Sequence, residues 1–387
     1  MNRIDVAIQY ERLFAEYFAV KYAFAFWKGR VALYAILKAI GIGPGDEVIL
    51  PGYTCVMDVN PIKYLGAKPV YVDIEPATFN INVELIQEKI TARTKVLIAQ
   101  HTYGYPCDMD GIMKVADENG IDVIEDCCLA FGSKYKGRTV GTFGKAAYFS
   151  FQWNKPFTTG VGGMASTDDV ELAERIESLW ACEMYQPSRG EVLMLWAQLV
   201  VYRLFVYPRT TALAQAAFRY LTKKAMVVGS SSVSEFQPTM ATDFFKAMSS
   251  VQARAGVREL KKIGQNIAHR RKMAEFYDKL FGEKGWPVRK YDSSVIEPVM
   301  VRYPVRITDK EKALAKAAKA GVELGSWFEC PLHPIETPLE AYDYEIGMCP
   351  EAEKACREVV NLPLHPRANE RTAKKTVEFI SRFTPVE

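Results

Sequence analysis

Residues 148–164, YFSFQWNKPFTTGVGGM, join a β-rich run to one lysine and a turn of small residues. The run is 147–151, the lysine is Lys155 and the small residues are 158–163. A lysine held beside a glycine-rich turn at the end of a strand suits a pocket in which its unprotonated amine forms a Schiff base with a carbonyl. A solvated lysine in a surface turn is the alternative. This stretch alone favours that alternative, because most lysines are exposed.

The composition is that of a soluble globular protein. The 387 residues suit about two domains, and 49% apolar with 25% charged residues is ordinary. A net charge of +3 against 49 basic and 46 acidic side chains predicts no nucleic-acid partner. The eight cysteines have neither CxxC nor zinc-ligand spacing, so we expect no metal and reduced thiols. The first residues lack an apolar segment behind a basic start, which predicts a cytoplasmic protein.

Short apolar runs alternate with helical patterns over the first third of the chain. The predicted strands are 47–51, 68–74, 94–101 and 121–126, and the predicted helices include 31–40, 83–90 and 109–119. This alternation predicts a parallel sheet covered on both faces. Ligands of such sheets collect beyond the carboxyl ends of the strands. We therefore expect His101, Tyr103, Asp126 and Lys155 to lie at one edge.

Two positions in this part suit a charged ligand. Asp126 follows an apolar run, and a buried carboxylate needs a partner such as the protonated nitrogen of a pyridine ring. A helix-capping role is the alternative for Asp126. Gly29 opens a predicted helix, whose free N–H groups favour an anion, and Arg30 would add charge. A plain helix start is the alternative there.

Residues of about 190–225 differ in composition from the sequence before and after them. The segment 193–207 is strongly apolar, Pro208 interrupts it, and a second helical pattern follows at 211–221. No Asp or Glu occurs between Val192 and Ser234, whereas the basic residues there are Arg203, Arg209, Arg219, Lys223 and Lys224. The run is too short to span a bilayer. A helical hairpin packed on the protein or on a sister subunit is the preferred interpretation, and a membrane-surface element over 192–224 is the alternative.

Beyond residue 240 the pattern becomes α+β. The predicted elements are a long helix at 244–280, strands at 299–305 and 324–328, helices at 310–320, 350–357 and 371–383, and an extended segment at 359–366. We predict a large domain over 1–240, including the insert, and then a linking helix with a small C-terminal domain over 241–387.

The order of these motifs resembles the DegT/DnrJ/EryC1/StrS family. The motifs are GxGDEVILP (43–51), KPVYVDI (68–74), HTYG (101–104), VIED (123–126), SFxxxK (150–155), TTGxGG (158–163), PLH (331–333) and NLPLHP (361–366). The resemblance is poor over about 185–240. It implies a pyridoxal 5′-phosphate (PLP)-dependent aminotransferase of fold type I, in which a mostly parallel α/β domain precedes a smaller α+β domain. It also implies a homodimer.

The resemblance assigns roles by position. Lys155 is similar to the lysine that bonds to PLP and then moves protons. Asp126 is similar to the residue that keeps the pyridine nitrogen of PLP protonated. Ser150 matches a phosphate ligand, and Gly29 with Arg30 occupies the place of a small-Gly-Thr phosphate motif. Cys55 and Leu129 are expected at the cofactor. The candidates for substrate contact are His101, Tyr103, His333 and Gln237.

Several positions depart from the family pattern. Cys55 replaces an aromatic ring that stacks on the cofactor, Leu129 replaces a Gln or His, and Val161 replaces a Glu. No Asn followed by Arg is visible near 237–240, so Gln237 is the candidate for the contact across the dimer.

The expected activity is transfer of an amino group from an amino acid, with glutamate the usual donor in the family, to a nucleotide-linked keto sugar in polysaccharide or natural-product biosynthesis. A lipid-linked or membrane-delivered substrate is one alternative. A PLP-binding regulator or scaffold without turnover is another. Lys155 argues against a dehydratase, whose relatives usually have His there. The lack of GxGxxG after the first strand argues against a dehydrogenase.

Overall fold

The computed structural model describes residues 4–386 other than 154, 207–232, 289–290 and 335. The strands are β1 Tyr22–Phe26, β2 Glu47–Pro51, β3 Thr54–Cys55, β4 Lys68–Val72, β5 Thr94–Gln100, β6 Asp122–Asp126, β7 Lys134–Tyr135, β8 Arg138–Thr139, β9 Ala146–Ser150, β10 Gly163–Thr167, β11 Ile296–Glu297, β12 Arg302–Arg306, β13 Leu332–His333 and β14 Val359–Pro363. The α-helices are α1 Asp5–Phe18, α2 Gly29–Ile40, α3 Val56–Tyr64, α4 Met109–Asn119, α5 Val170–Glu183, α6 Arg189–Val201, α7 Ser250–Leu260, α8 Ile263–Glu283, α9 Lys310–Ala320, α10 Pro350–Glu358 and α11 Glu370–Ile380.

A seven-stranded sheet forms the centre of the N-terminal part of the chain, in the order β1-β10-β9-β6-β5-β2-β4. Six strands run in one direction, and β10 is antiparallel to both of its neighbours. This confirms the predicted mostly parallel α/β sheet. The carboxyl ends of β5, β6 and β9 therefore meet at one edge.

The helices bury the sheet because their apolar residues recur at helical spacing. Ten of the twelve residues of α2 are buried between the sheet and neighbouring helices. On the opposite face, Phe14 of α1 packs edge-on against Phe149, with ring centroids 4.9 Å apart. Gly256 of α7 lies against the ring of Tyr10, where a Cβ would come within 2.5 Å. Helix α1 therefore joins α7 to the sheet.

Three predicted elements differ from the structure. Residues 83–90 form two short 3₁₀ turns, because only Ile86 of this segment is buried and little apolar surface stabilises a full helix. The linking helix is broken: Lys262 has φ −108° and ψ −2°, so α7 packs against α1 while α8 packs near β12. The segment 324–328 makes one isolated bridge, between Gly325 and Asn361, instead of a strand.

The C-terminal part contains the antiparallel pair β12–β14 with α9, α10 and α11. It joins the large domain through β13, which pairs in parallel with β3. This pairing sets His333 opposite Cys55, although the two are far apart in sequence.

Helix α6 lies over the turn that carries Lys155. Leu195 and Leu199 are buried against Trp153 and Val161. At Gly160, which has φ +89°, a Cβ would come within 2.6 Å of Leu195. The inner side of α6 thus packs on the protein, as the preferred interpretation requires. The predicted second helix at 211–221 lies outside the described residues, and in the described part no helix is long and apolar enough to cross a membrane.

Replacing Gly29 by Ala tests the contact between α2 and β9. The new Cβ would come 2.9 Å from the Cβ of Ser150 and 3.1 Å from the carbonyl oxygen of Phe149. Since neither neighbour can rotate away, we expect the free energy of unfolding to fall by about 1–3 kcal/mol in urea titration.

Gly264→Ala is the matched control. This helical glycine has nothing within 4 Å of the added Cβ, and we expect a gain of about 0.4–1 kcal/mol. Equal changes in the two variants would contradict the close contact.

Candidate active site

Two neighbouring parallel strands bring the chemical groups together. Asp126, the last residue of β6, lies opposite Tyr148 on β9, and Ser150 ends β9 two residues later. Asp126 is buried, and its Oδ1 accepts a hydrogen bond of 2.8 Å from the N–H of Cys128. The carboxylate is thereby oriented at the carboxyl edge of the sheet.

Lys155 follows β9 in a tight turn. Its N–H donates to the carbonyl of Gln152 at 3.0 Å, and its side chain is half-buried. Within the described residues its amine makes neither an ion pair nor a hydrogen bond, and Nζ lies 5.4 Å from the ring centroid of Trp327. An amine without a polar partner, against an aromatic ring, suits nucleophilic chemistry.

The start of α2 forms a cradle next to Ser150. Lys28 precedes the helix but gives it no side-chain cap. A Cβ on Gly163 would come within 2.5 Å of the Cα of Gly29, so only glycines allow this approach. Uncapped helix N–H groups beside a serine hydroxyl favour a phosphate.

The side chain of Arg30 is paired within the protein. Its Nη1 lies 2.6 Å from Oε1 of Glu235, and Nζ of Lys28 lies 3.1 Å from the same oxygen. Burial lowers the pKa of Lys28 to about 8, with repulsion from Arg30 acting in the same direction and Glu235 opposing both. A buried guanidinium needs such a partner. The phosphate contact predicted at this position is therefore carried more readily by backbone N–H groups than by the Arg30 side chain.

Cys55 and His333 come together through the β3–β13 pairing. Burial raises the pKa of Cys55 to about 12, and the nearby Asp58 adds to this, so the thiol is protonated at neutral pH. Burial also lowers the pKa of His333 to about 4, although Glu329 raises it, which leaves the imidazole neutral. The structure thus brings His333 to the pocket.

Asp58 of α3 is a second carboxylate in the pocket that sequence reasoning missed. The hydroxyl of Tyr148 donates to its Oδ1 at 3.0 Å, and the hydroxyl of Thr54 lies 3.3 Å from its Oδ2. Burial raises the pKa of Asp58 to about 7, Asp126 adds repulsion, and Lys155 opposes both. The available signal was an acid three residues after Cys55, between the apolar residues Met57 and Val59.

His101 and Tyr103 are buried in hydrogen-bond networks. The Nε2 of His101 lies 3.1 Å from Glu125, and its Nδ1 accepts from the N–H of Cys107 at 3.0 Å. The hydroxyl of Tyr103 lies 2.7 Å from that of Tyr53 and donates to the carbonyl of Trp327. Both ring nitrogens of His101 are engaged, so the structure gives no support to a substrate contact by this residue.

His101, Glu125 and Cys127 also have metal-ligand types within 4.8 Å of one another. Glu125, however, accepts hydrogen bonds from the N–H groups of Gly141, Phe143 and Gly144. These bonds satisfy the carboxylate without a metal, so the cluster stabilises a loop.

The two remaining predicted residues differ in position. Leu129 is buried in the main hydrophobic core close after Asp126. Gln237 is exposed, just after the turn that carries Glu235. Leu129 offers only apolar surface, and Gln237 stays a candidate for a partner-subunit contact.

The sheet and its edge are those of an α/β aminotransferase of fold type I. The X-ray structure of the aminotransferase from Psychrobacter cryohalolentis matches 98% of this chain and 91% of its own, with a TM-score of 0.76 and 26% identity. The model of the DegT/DnrJ/EryC1/StrS aminotransferase family matches residues 5–195 and 215–381. The chain belongs to this family, which confirms the resemblance.

Two curated relatives are sugar enzymes. GDP-perosamine synthase of Caulobacter vibrioides is 31% identical over 97% of this chain and 89% of the relative. GDP-perosamine synthase of Escherichia coli O157:H7 is 49% identical over 167 residues, which are 43% of this chain and 46% of the relative. The family model leaves residues 196–214 unmatched, and these include the second half of α6.

The residues present fit PLP. Asp126 would hold the ring nitrogen, Gly29 and Ser150 the phosphate, and Lys155 the aldehyde carbon. The fit rests on the close Gly29–Ser150 approach and on the unpaired amine of Lys155. Cys55 leaves less area against the ring than an aromatic side chain would.

Asp58→Asn should alter the pH dependence of stability in the cofactor-free protein. Between about pH 4 and pH 7, folded Asp58 keeps a proton that the unfolded chain has released, so the free energy of unfolding falls as pH rises. Asn cannot titrate but can still accept from Tyr148. We therefore expect the stability of the variant relative to the natural protein to increase with pH across this range.

Urea titrations at several pH values measure this difference. The carboxylate and amine that act on Asp58 are Asp126 and Lys155, and both remain in the variant. Parallel pH curves for the two proteins would contradict the raised pKa.

Proposed function

We propose that this protein transfers an amino group from an amino acid, with glutamate as the expected donor, to a nucleotide-linked keto sugar, using PLP. The proposal rests on one observation. Asp126, Lys155 and the contact between Gly29 and Ser150 lie together at the carboxyl edge of the sheet. The two GDP-perosamine synthases support a sugar acceptor and a role in polysaccharide biosynthesis. PLP would supply an aldehyde that bonds to amines and a ring that stabilises negative charge on the adjacent carbon.

Lys155 would act twice in such a reaction. Its amine would hold the cofactor at rest and, once displaced by the donor, move a proton between the donor carbon and the cofactor. The half-buried turn and the cover of α6 over Trp153 keep the amine in a confined space.

Asp126 and the cradle would orient the cofactor. The bond from Cys128 fixes the Asp126 carboxylate, and a fixed buried carboxylate favours a protonated ring nitrogen. Trp327 and His333 from the C-terminal part close the same pocket beside Lys155 and Cys55. Their apolar surfaces exclude water, which strengthens these charge interactions.

Lys155→Ala should abolish amino transfer. Loss of the proton-moving amine alone costs on the order of 10²–10⁴-fold in rate, and loss of the covalent attachment adds to this. We expect the natural protein with PLP to show visible absorbance that disappears on adding glutamate, and borohydride to fix the cofactor mass on the peptide containing Lys155. The variant should show neither effect.

Lys145→Ala is the control, because Lys145 pairs with Asp122 at 3.0 Å at the other end of the strands. It should keep both effects. A natural protein that binds PLP but ignores every amino donor would favour the regulator or scaffold instead.

We also propose that the protein is a homodimer and that the outer side of α6 contacts a membrane surface. Leu193 and Trp196 of α6 are 65% and 53% exposed, and Leu204 in the helical turn after it is 67% exposed, whereas Leu195 on the inner side is buried. Large apolar side chains on the outside, followed by a basic, acid-free sequence, suit anionic lipid. Such a contact favours the alternative acceptor, a lipid-linked or membrane-delivered substrate, over a freely diffusing one.

Trp196→Glu combined with Leu193→Glu should abolish flotation of the protein with liposomes of anionic lipid. The inner side stays intact, so the cofactor spectrum should not change. If the natural protein does not float, the membrane contact is wrong. If the substitutions instead convert a dimer to a monomer, this surface is a subunit interface.

A further inference from the structure

Two cations beside the phosphate cradle share one carboxylate. Nη1 of Arg30 and Nζ of Lys28 lie 2.6 and 3.1 Å from Oε1 of Glu235. The side chains of Arg30, Lys28 and Glu235 are 5%, 18% and 15% exposed, so water screens their charges only weakly. Two cations and one carboxylate leave an excess of one positive charge at the start of α2.

The backbone of Glu235 is fixed by buried side chains. Glu235 lies in the 3₁₀ turn Val233–Phe236, and its carbonyl oxygen accepts a hydrogen bond of 2.7 Å from Nδ2 of Asn60 on α3. The Oδ1 of Asn60 in turn accepts from the hydroxyl of Tyr342 at 2.7 Å. Asn60 and Tyr342 are fully buried. The core therefore fixes this turn, and the turn places the carboxylate of Glu235 against the two cations.

The positive charge at this point is only partly compensated. Burial lowers the pKa of Lys28 to about 8, with repulsion from Arg30 and Lys246 in the same direction, although Glu235 opposes the change. Lys246 has partners of its own, because its Nζ lies 2.7 Å from Glu191 and 2.6 Å from Asp243. A buried group of charges with this excess gains free energy from an incoming anion.

Arg30 lies close to the residues that would hold the cofactor. Burial and Asp58 raise the pKa of Cys55 to about 12, and Arg30 is near enough to oppose them. Gly29, the preceding residue, forms the cradle with Ser150, from whose Cβ its own added Cβ would be only 2.9 Å away. A phosphate in the cradle and the carboxylate of Glu235 are therefore alternative anions for the Arg30 guanidinium.

We propose that Glu235 is a positioning residue that keeps the side chains of Arg30 and Lys28 away from the phosphate of the cofactor. This role rests on the proposed use of PLP. With Glu235 in place, the phosphate is held by the N–H groups of α2 and by Ser150, and the nearby carboxylate repels it. Glu235 thus stabilises the cofactor-free protein and lowers its affinity for phosphate.

Glu235→Gln tests this role in the cofactor-free protein. Because Gln keeps the shape and loses the charge, we expect the affinity for inorganic phosphate in calorimetry to rise about tenfold, and the affinity for PLP to rise with it. The gain should shrink at high salt, which screens the charges. The melting temperature should fall, since two cations lose their carboxylate, and added phosphate should restore it. A purely structural role would lower the melting temperature without raising the affinity.

Arg30→Met shows whether the guanidinium is the group that Glu235 holds back. It should reduce the affinity for phosphate more strongly in the Glu235→Gln background than in the natural protein, because only in that background does Arg30 bind phosphate. An equal loss in both backgrounds would mean that Arg30 binds phosphate beside Glu235, and the proposal would be wrong. Unchanged or lower affinity in Glu235→Gln alone would also overturn it.

Glu183→Gln is the matched control. Glu183 pairs with Lys38 in the last turn of α2, so the variant removes the same charge at the opposite end of the same helix and should leave phosphate binding unchanged. If Glu235→Gln gains affinity for phosphate but the natural protein processes no amino donor, the proposed function fails while the role of Glu235 stands. If the natural protein processes glutamate and Glu235→Gln gains no affinity, the role of Glu235 fails alone.

Discussion

The site depends on a close contact of three chain segments, two of which have glycine at the point of contact. Gly29 at the start of α2 lies against Ser150 at the end of β9 and against Gly163 at the start of β10. Any larger residue at 29 or 163 would separate the helix from the strands. Because α2 is almost wholly buried, its N–H groups cannot shift independently of the core. The turn with Lys155 connects the two strands at this contact, so the cradle and the lysine are held by one constraint.

Charge compensation is uneven around this contact. Lys28, Arg30 and Glu235 compensate one another on one side of the cradle. On the other side, burial and repulsion from Asp126 raise the pKa of Asp58 to about 7. A cationic ring beside Asp126 would relieve that repulsion. The pocket is thus arranged for a ligand that is anionic at one end and cationic at the other.

The sequence predicts the parts that depend on local pattern. Alternating apolar runs identify the parallel strands, and the ends of β6 and β9 follow from them, which brings Asp126 and Lys155 to one edge. The sequence does not predict the break at Lys262, because Leu260, Ile263 and Ile267 continue the helical spacing of apolar residues across it. Only the different partners of α7 and α8 require the turn. His101 was assigned to substrate for its place at a strand end, whereas its ring points into the hydrogen bonds of Glu125.

Residues that depend on long-range register could not be predicted from local pattern. Trp327 reaches Lys155 only because β13 pairs with β3 across the two parts of the chain. Arg302 faces the same ring because β12 pairs with β14 and Gly325 leaves space. The family motif PLH indicated that this segment matters, but not which neighbours it brings.

Lys155 is enclosed from two directions by elements outside the central sheet. Helix α6 covers its turn through Leu195 against Gly160, and the C-terminal part presents Trp327 to its amine. The central sheet by itself positions the charged groups of the site. Helix α6 and Trp327 enclose the amine of Lys155 and thereby limit which molecules can reach it. The second half of α6 lies outside the family match, whereas the pocket wall around Trp327 lies within it. The contacts that enclose Lys155 therefore come from one segment that the family model covers only in part and from another that it covers fully, and access to the amine depends on both.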